Sequence, residues 1–337
     1  RKLKKRVLLM KKRVLAIIAG LFSMTGILLA QSYADVVIEY NSAVRCLNNQ
    51  DYDSAFIYLN NTLAMSETVG AEAAEMETSV KEQLVYANYS QAYTLEKRQK
   101  FSEAVPFYEE SVRLSAEYGV KEETAGKAKR KIVSASMRAG QAEYKRQEYD
   151  AALAHYDRVL SLAPSVYQAH QGKGLVYDKL NQNEEMLGEF AIAKEKAAQK
   201  GDEKVLAAVN AKINSYYNAL IEEELMMIDP EEADYTFLID ICDEAIEANE
   251  KNAVAYYNAA SAKNKQVEYD VAIEYVLKAL EYEAEIEPIW LSALYYELGI
   301  GYHNSVMYKE ACEAYNKVTE EPFFTKAENK MMTSNCQ

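Results

Sequence analysis

The chain is poor in the residues that break a fold or staple it. Its 337 residues hold only 12 glycines and 5 prolines, too few for the turn-dense pattern of a sandwich or barrel. Alternating runs of β-branched residues between turn signals are missing as well, so a sheet has no support. Three histidines (His155, His170 and His303) and four cysteines (Cys46, Cys242, Cys312 and Cys336) are scattered along it. The cysteines have no CxxC spacing, and no histidine has an acidic or cysteine partner at ligand spacing, so no metal and no cofactor are expected. His155 reads as lying on the outer side of its helix. Cys46, Cys242 and Cys312 fall on helix faces, where cysteine behaves as a small apolar residue. A disulfide would be permitted in an exported chain, but nothing in the spacing asks for one. There is no Gly-rich phosphate loop, no GxSxG and no HExxH. Without a constellation of acid, base and nucleophile, no catalytic residue is assigned, and an enzyme is the least supported class.

Positive charge is scarce too, except in one place. Eight of the 38 Lys/Arg lie in residues 1–34, which hold no acid. The remainder keeps 30 basic against 52 acidic residues, a net charge of −22. Such a body repels phosphate backbones, so nucleic acid is not an expected partner. At the N-terminus, Met10-Lys11-Lys12-Arg13 precedes an uncharged apolar run over 14–30 and the small-x-small set Ser32-Tyr33-Ala34. This pattern is that of an export signal occupying 1–34, with a start at Met10 and cleavage after Ala34. The 17-residue run is at the short edge of what spans a bilayer, so a retained anchor is the alternative, and membrane contact is expected only then. The expected location is the periplasm, or the cell envelope of a double-membraned bacterium.

What is abundant is Ala, Glu, Lys, Leu and Tyr, with 49% hydrophobic content, which specifies helix throughout and a substantial core. The stretch 148–164, EYDAALAHYDRVLSLAP, carries a pattern that recurs: an aromatic, a small residue at i+3 and an apolar residue at i+7. It appears as Tyr52/Ala55/Leu59, Phe101/Ala104/Tyr108, Tyr149/Ala152/Tyr156, Tyr269/Ala272/Val276 and Tyr308/Ala311/Tyr315. These spacings place the three residues on one helical face, with the alanine letting a neighbouring helix approach. Preceding helices carry Gly174 with Tyr177, and Leu298-Gly299 with Tyr302.

This pattern resembles the tetratricopeptide repeat, a 34-residue helix-turn-helix unit. Ala152 to Met186 and Leu238 to Ala272 are each 34 apart, and Pro164 stands at a repeat end. The resemblance implies an all-α, right-handed superhelical solenoid of about seven helix pairs over 35–321, followed by a capping segment over 322–337. Longer separations, such as 49 from Ala55 to Ala104, exceed 34 by close to whole helical turns. Whole turns lengthen a helix without rotating its packing face. Repeats 2, 3 and 5 therefore open with long helices near 71–97, 120–146 and 202–227, each preceded by a glycine (Gly70, Gly119, Gly201) suited to cap the helix before it. Asp229-Pro230 closes the last of these, and a loop around 285–288 offsets the seventh repeat.

In that family the first helix of each repeat lines a concave groove. Carrying its groove positions over places Tyr40, Tyr89, Tyr257 and Tyr296 at one equivalent position. Asn41 and Asn258 stand at the next, and Tyr93, His303 and Asn304 further along. Two readings stay open: the rings face the groove as flat recognition surfaces, or they pack on adjacent helices. A Lys/Asn/Arg set for gripping a terminal carboxylate is not present beyond scattered matches such as Arg138 and Lys265. The resemblance implies a non-catalytic scaffold binding a protein or peptide in the groove. The alternatives are a module for glycans or small ligands, and an envelope assembly factor anchored through 14–30.

Overall fold

A computed structural model describes residues 32–229, 234–333 and 336 of the chain. Residues 1–31 of the expected export segment and Pro230 lie outside the described residues, whereas Ser32 caps the first helix and Tyr33 and Ala34 begin it. Within them the chain is helical and has no strand. In order come α1 (Tyr33–Asn48), α2 (Tyr52–Val69), α3 (Ala74–Lys97), α4 (Phe101–Tyr118) and α5 (Glu122–Lys145). Then follow α6 (Tyr149–Leu162), α7 (Tyr167–Leu180), α8 (Asn183–Lys200), α9 (Glu203–Met227) and α10 (Thr236–Ala248). The last are α11 (Ala253–Lys265), α12 (Tyr269–Ala279), α13 (Pro288–Asn304), α14 (Tyr308–Tyr315) and α15 (Phe323–Thr333). The helices gather into two compact units, one reaching Ser136 and the other starting at Met137, so the boundary falls inside α5.

The three long helices are α3, α5 and α9, with 24, 24 and 25 residues, where the glycine punctuation placed them. Gly119 and Gly201 end α4 and α8 in the left-handed region, at φ 66° each, which an L side chain adopts only with strain. Gly70 caps α2 and begins a 3₁₀ turn, Gly70–Ala73, leading into α3. The expected loop before the seventh pair is a 3₁₀ segment, Leu280–Glu285, and two further residues.

Within pairs, the helix connection repeats one device. Gln50, Gln99, Gln147, Asn181, Val267 and Val306 all have positive φ, each two residues before the next helix begins. The following residue donates its N–H to a carbonyl five positions back, as Lys100 does to Leu95 (2.9 Å) and Met307 to Tyr302 (2.8 Å). This closes the orphan carbonyls of the helix end. A β-branched side chain is poorly tolerated in this conformation. Val267 and Val306 are 66% and 67% exposed, so they gain little packing in return. Replacing either by Asn is expected to raise stability by about 1 kcal/mol, read as an increase in the urea midpoint.

Packing between helices follows the small-to-aromatic rule. The Tyr156 ring on α6 lies against Gly140 of α5 and Gly172 of α7; Phe190 on α8 covers Gly174, and Tyr315 on α14 covers Gly299. Each ring is nearly or fully buried, and the glycine lets it approach the helix backbone. Hydrogen bonds between successive repeats keep the 34-residue register. Lys212 donates to Asp178 (2.9 Å), Asn252 to Asn218 (3.1 Å) and Lys251 to Glu285 (2.7 Å), all 34 positions apart. Ala55, Ala104, Ala152, Ala272 and Ala311 are all buried at their repeat positions. One leading aromatic departs from the pattern: Tyr308 is 50% exposed, its ring edge-on to His303 at 5.4 Å. At the C-terminus, α15 turns Phe323 and Ala327 into the core of the second unit, against residues of α11 and α13.

Two details of the polar residues differ from expectation. His155 is half-buried, and burial pushes its imidazole below the usual range. His170 does have an acidic partner, Glu189, at 2.6 Å; it is 19 positions away and on the next helix. Cys312 and Cys336 form a disulfide, 24 positions apart, which joins α14 to the end of the chain. Cys242 is buried and Cys46 half-buried, and both are free thiols.

Candidate binding cleft

In the first unit, α3 divides its residues between two faces. Val80, Leu84, Val85 and Ala92 are buried. Tyr86, Tyr89, Ser90, Tyr93 and Lys97, at i, i+3, i+4, i+7 and i+11, fall along the opposite stripe. Together with Gln50 from the α1–α2 connection, Tyr52 at the start of α2, and Thr94 and Arg98, they line an open cleft of about 700 Å³. Tyr52 and Thr94 share a hydroxyl hydrogen bond at 3.1 Å, which fixes the start of α2 to α3. Tyr86 and Tyr93 are 54% and 41% exposed, a large apolar area for a water-facing stripe. Tyr89 is half-buried, its ring at 5.6 Å from Tyr108 in an edge contact. Tyr108 donates to Glu96 (2.7 Å); burial, reinforced by that carboxylate, pushes its phenol well above the ordinary tyrosine range.

The electrostatics of the cleft run against the rest of the chain. No carboxylate lines it. The Lys97 ammonium sits 5.2 Å from the centre of the Tyr93 ring and that of Lys131 5.5 Å from it. Lys131 is also paired with Glu96 at 3.0 Å. Among the described residues neither Lys97 nor Arg98 has an ion-pair partner within 4.0 Å. A cation held against a ring face keeps its charge available for a second partner. The cleft thus combines phenol rings, hydroxyls and two cations that lack an ion-pair partner among the described residues.

The residues assigned to a groove from sequence fall in both units and are described unit by unit. Tyr89 and Tyr93 meet in the cleft. Tyr40 is half-buried against the core of the first unit, and Asn41 is exposed on α1. In the second unit Tyr257 lies 5.8 Å from Trp290 and 5.6 Å from Phe323, and Tyr296 is 6.0 Å from Phe323 and 6.1 Å from Tyr315. Burial pushes the Tyr257 phenol up to about 12, and raises that of Tyr296 as well. At these two positions the rings pack on neighbouring aromatic residues. Asn258 is buried and donates to the Val254 carbonyl one turn back at 2.8 Å. His303 is half-buried beside Tyr308, and Asn304 is exposed at the end of α13.

Tyr52, Tyr86, Lys97 and Arg98 went unassigned in the sequence. For Tyr86 and Lys97 the signal was present, because they continue the stripe of Tyr89 and Tyr93 in both directions. Tyr52 read only as the leading aromatic of a repeat, and Arg98 carried no sequence signal. A second hollow, about 510 Å³ between α8, α9 and α10, is more apolar, floored by Leu187, Ile213 and Tyr217. Its one cation, Lys194, is committed to the Ala248 carbonyl at 2.8 Å, and burial lowers its pKa.

No family model matches the sequence, and no curated protein sequence does. Among solved structures, the TPR2AB-domain:pHSP90 complex of yeast Sti1 is similar at 14% identity and a TM-score of 0.33, over 90% of this chain and 95% of that one. YrrB, described as a TPR protein with an unusual peptide-binding site, is 18% identical with a TM-score of 0.26, over 61% of this chain and 89% of its own. A tetratricopeptide repeat protein from Parabacteroides merdae is 13% identical with a TM-score of 0.25, over 89% and 98%. On the chain's own geometry, helices in successive pairs, aromatic rings seated on glycines and hydrogen bonds 34 residues apart make this a tetratricopeptide-type all-α repeat fold.

Proposed function

We propose that the chain is a non-catalytic scaffold of an exported, envelope compartment that binds an extended segment of a partner protein in the α3 cleft. The observation that carries this reading is the stripe Tyr86, Tyr89, Tyr93 and Lys97, open to solvent and free of carboxylates, on a chain that is otherwise strongly acidic. Tyrosines one turn apart offer flat apolar area with hydroxyls, which suits side chains and backbone of an extended segment. The Tyr93 face is already flanked by two ammoniums, so it is a poor platform for stacking a sugar. The Cys312–Cys336 disulfide supports an oxidising compartment, in keeping with the export signal read in residues 1–34.

Affinity capture from envelope extract, followed by calorimetry with the purified partner, tests this. Changing Tyr86 and Tyr93 together to Ala is expected to weaken binding tenfold or more with little loss of stability, because neither ring is buried in the core. Lys97→Glu should weaken it further at low salt than at high salt. A partner bound equally well by both variants would remove the cleft from the account.

A further inference from the structure

We propose that the face of α11 and α13 carrying Tyr257, Trp290 and Tyr296 is a seat for an amphipathic helix with an aromatic anchor. At rest it is filled by the chain's own C-terminal helix, and it opens to a partner helix of the same pattern when Cys312–Cys336 is reduced. The site is distinct from the α3 cleft and lies wholly in the second unit.

The resident helix shows what the seat recognises. Phe323 inserts its ring against Tyr257 and Tyr296 at 5.6 and 6.0 Å, and Ala327 and Met331 continue the same stripe at i+4 and i+8. Lys326 lies over the Phe323 ring at 5.3 Å. One aromatic, one small residue and one methionine are the whole apolar contribution of α15. Its remaining large side chains point outward, with Phe324 and Met332 exposed. A helix of 11 residues is marginal on its own, so its occupancy depends on being tethered. The tether is double: the chain itself enters from α14, and the disulfide returns Cys336 to Cys312 on the same helix. Both ends fixed give a high local concentration of the helix at its seat. Losing one leaves a short helix held through few contacts, which a separate helix can replace.

The reductive step balances with a dithiol as the co-reactant. Its two sulfurs take the place of the Cys312–Cys336 bond by exchange, closing to their own disulfide, and the two protons they release end on the cysteine thiols.

The test uses the full chain and a fluorescent peptide of residues 320–333, followed by anisotropy and by amide hydrogen exchange. In the oxidised chain the peptide should not bind saturably. After reduction with a dithiol, or in Cys336→Ser, it should bind, and a peptide with Phe323→Ala should bind at least tenfold less tightly. Exchange over 323–333 should accelerate tenfold or more on reduction, while α11 and α13 keep their protection. Unchanged exchange over 323–333, or no peptide binding to the reduced chain, overturns the proposal. Loss of protection in α11 and α13 also overturns it, by making the disulfide a staple of the fold. None of these readouts involves Tyr86 or Tyr93, so the α3 cleft stands or falls separately.

Discussion

Replacing Gly299 by alanine is expected to cost about 2 kcal/mol of stability, although helix propensity alone predicts a gain of about 1 kcal/mol. The two effects have opposite signs, and the surroundings decide between them. A Cβ built at Gly299 falls on the Tyr315 ring, within 2.8 Å of Cζ, where carbon atoms do not approach. Tyr315 is buried, with Tyr296 beside it at 6.1 Å, so the ring cannot swing aside into solvent. The methyl group must push α13 and α14 apart or force the ring off its rotamer, and overpacking of this kind costs about 1–3 kcal/mol or more. Urea unfolding of Gly299→Ala measures the loss. Adding Tyr315→Leu to it should recover part of that loss, since the clash is the term the two substitutions share. If Gly299→Ala proved as stable as the native chain, glycine would not be what sets the spacing of this helix pair.

That glycine was legible in the sequence, as were the helix pairs and the extra turns of α3, α5 and α9. These features come from periodicity: a 34-residue repeat lengthened by whole turns keeps the same face inward, and the inward face shows in the residues. The fate of the tyrosines shows where periodicity stops. Tyr89 and Tyr257 occupy equivalent repeat positions, yet one borders an open cleft and the other is covered by Phe323. A position within the repeat fixes the direction of a side chain. It does not fix what later comes to sit on it, and that depends on a helix 66 residues further along the chain. The bond Asn258 makes to Val254 is equally local, because an amide can turn back to a carbonyl of its own helix as readily as it can face a ligand. The disulfide had no signal, since Cys312 and Cys336 meet only once α15 has folded back. Val267 and Val306 were equally silent, standing where other repeats use Gln or Asn.

Glu297→Gln is expected to stabilise the chain at neutral pH, by on the order of 1–3 kcal/mol, the usual range for a buried polar group left poorly compensated. Glu297 is 5% exposed, on α13, and accepts a hydrogen bond from the Asn264 amide at 2.8 Å. Burial raises its carboxyl above the ordinary value of 4.5, and the bonds from Asn264 and Ser261, together with the fields of Lys265 and Lys326, only partly offset this. Below about pH 4.5 the folded and unfolded chains both hold the proton, and burial of the neutral group carries no charge penalty. As pH rises past that value the unfolded chain releases its proton while the folded chain retains it. The native protein therefore loses stability over the interval up to the folded pKa, and above it the loss is complete. Glutamine keeps the shape and can still accept from Asn264, but it never ionises. The difference in stability between variant and native chain should thus be small at pH 4 and favour the variant increasingly towards pH 7. Other titrating groups cancel in that difference, so paired urea titrations across this range isolate Glu297. Parallel curves would mean that the bonds from Asn264 and Ser261, with Lys265 and Lys326, fully compensate the buried charge.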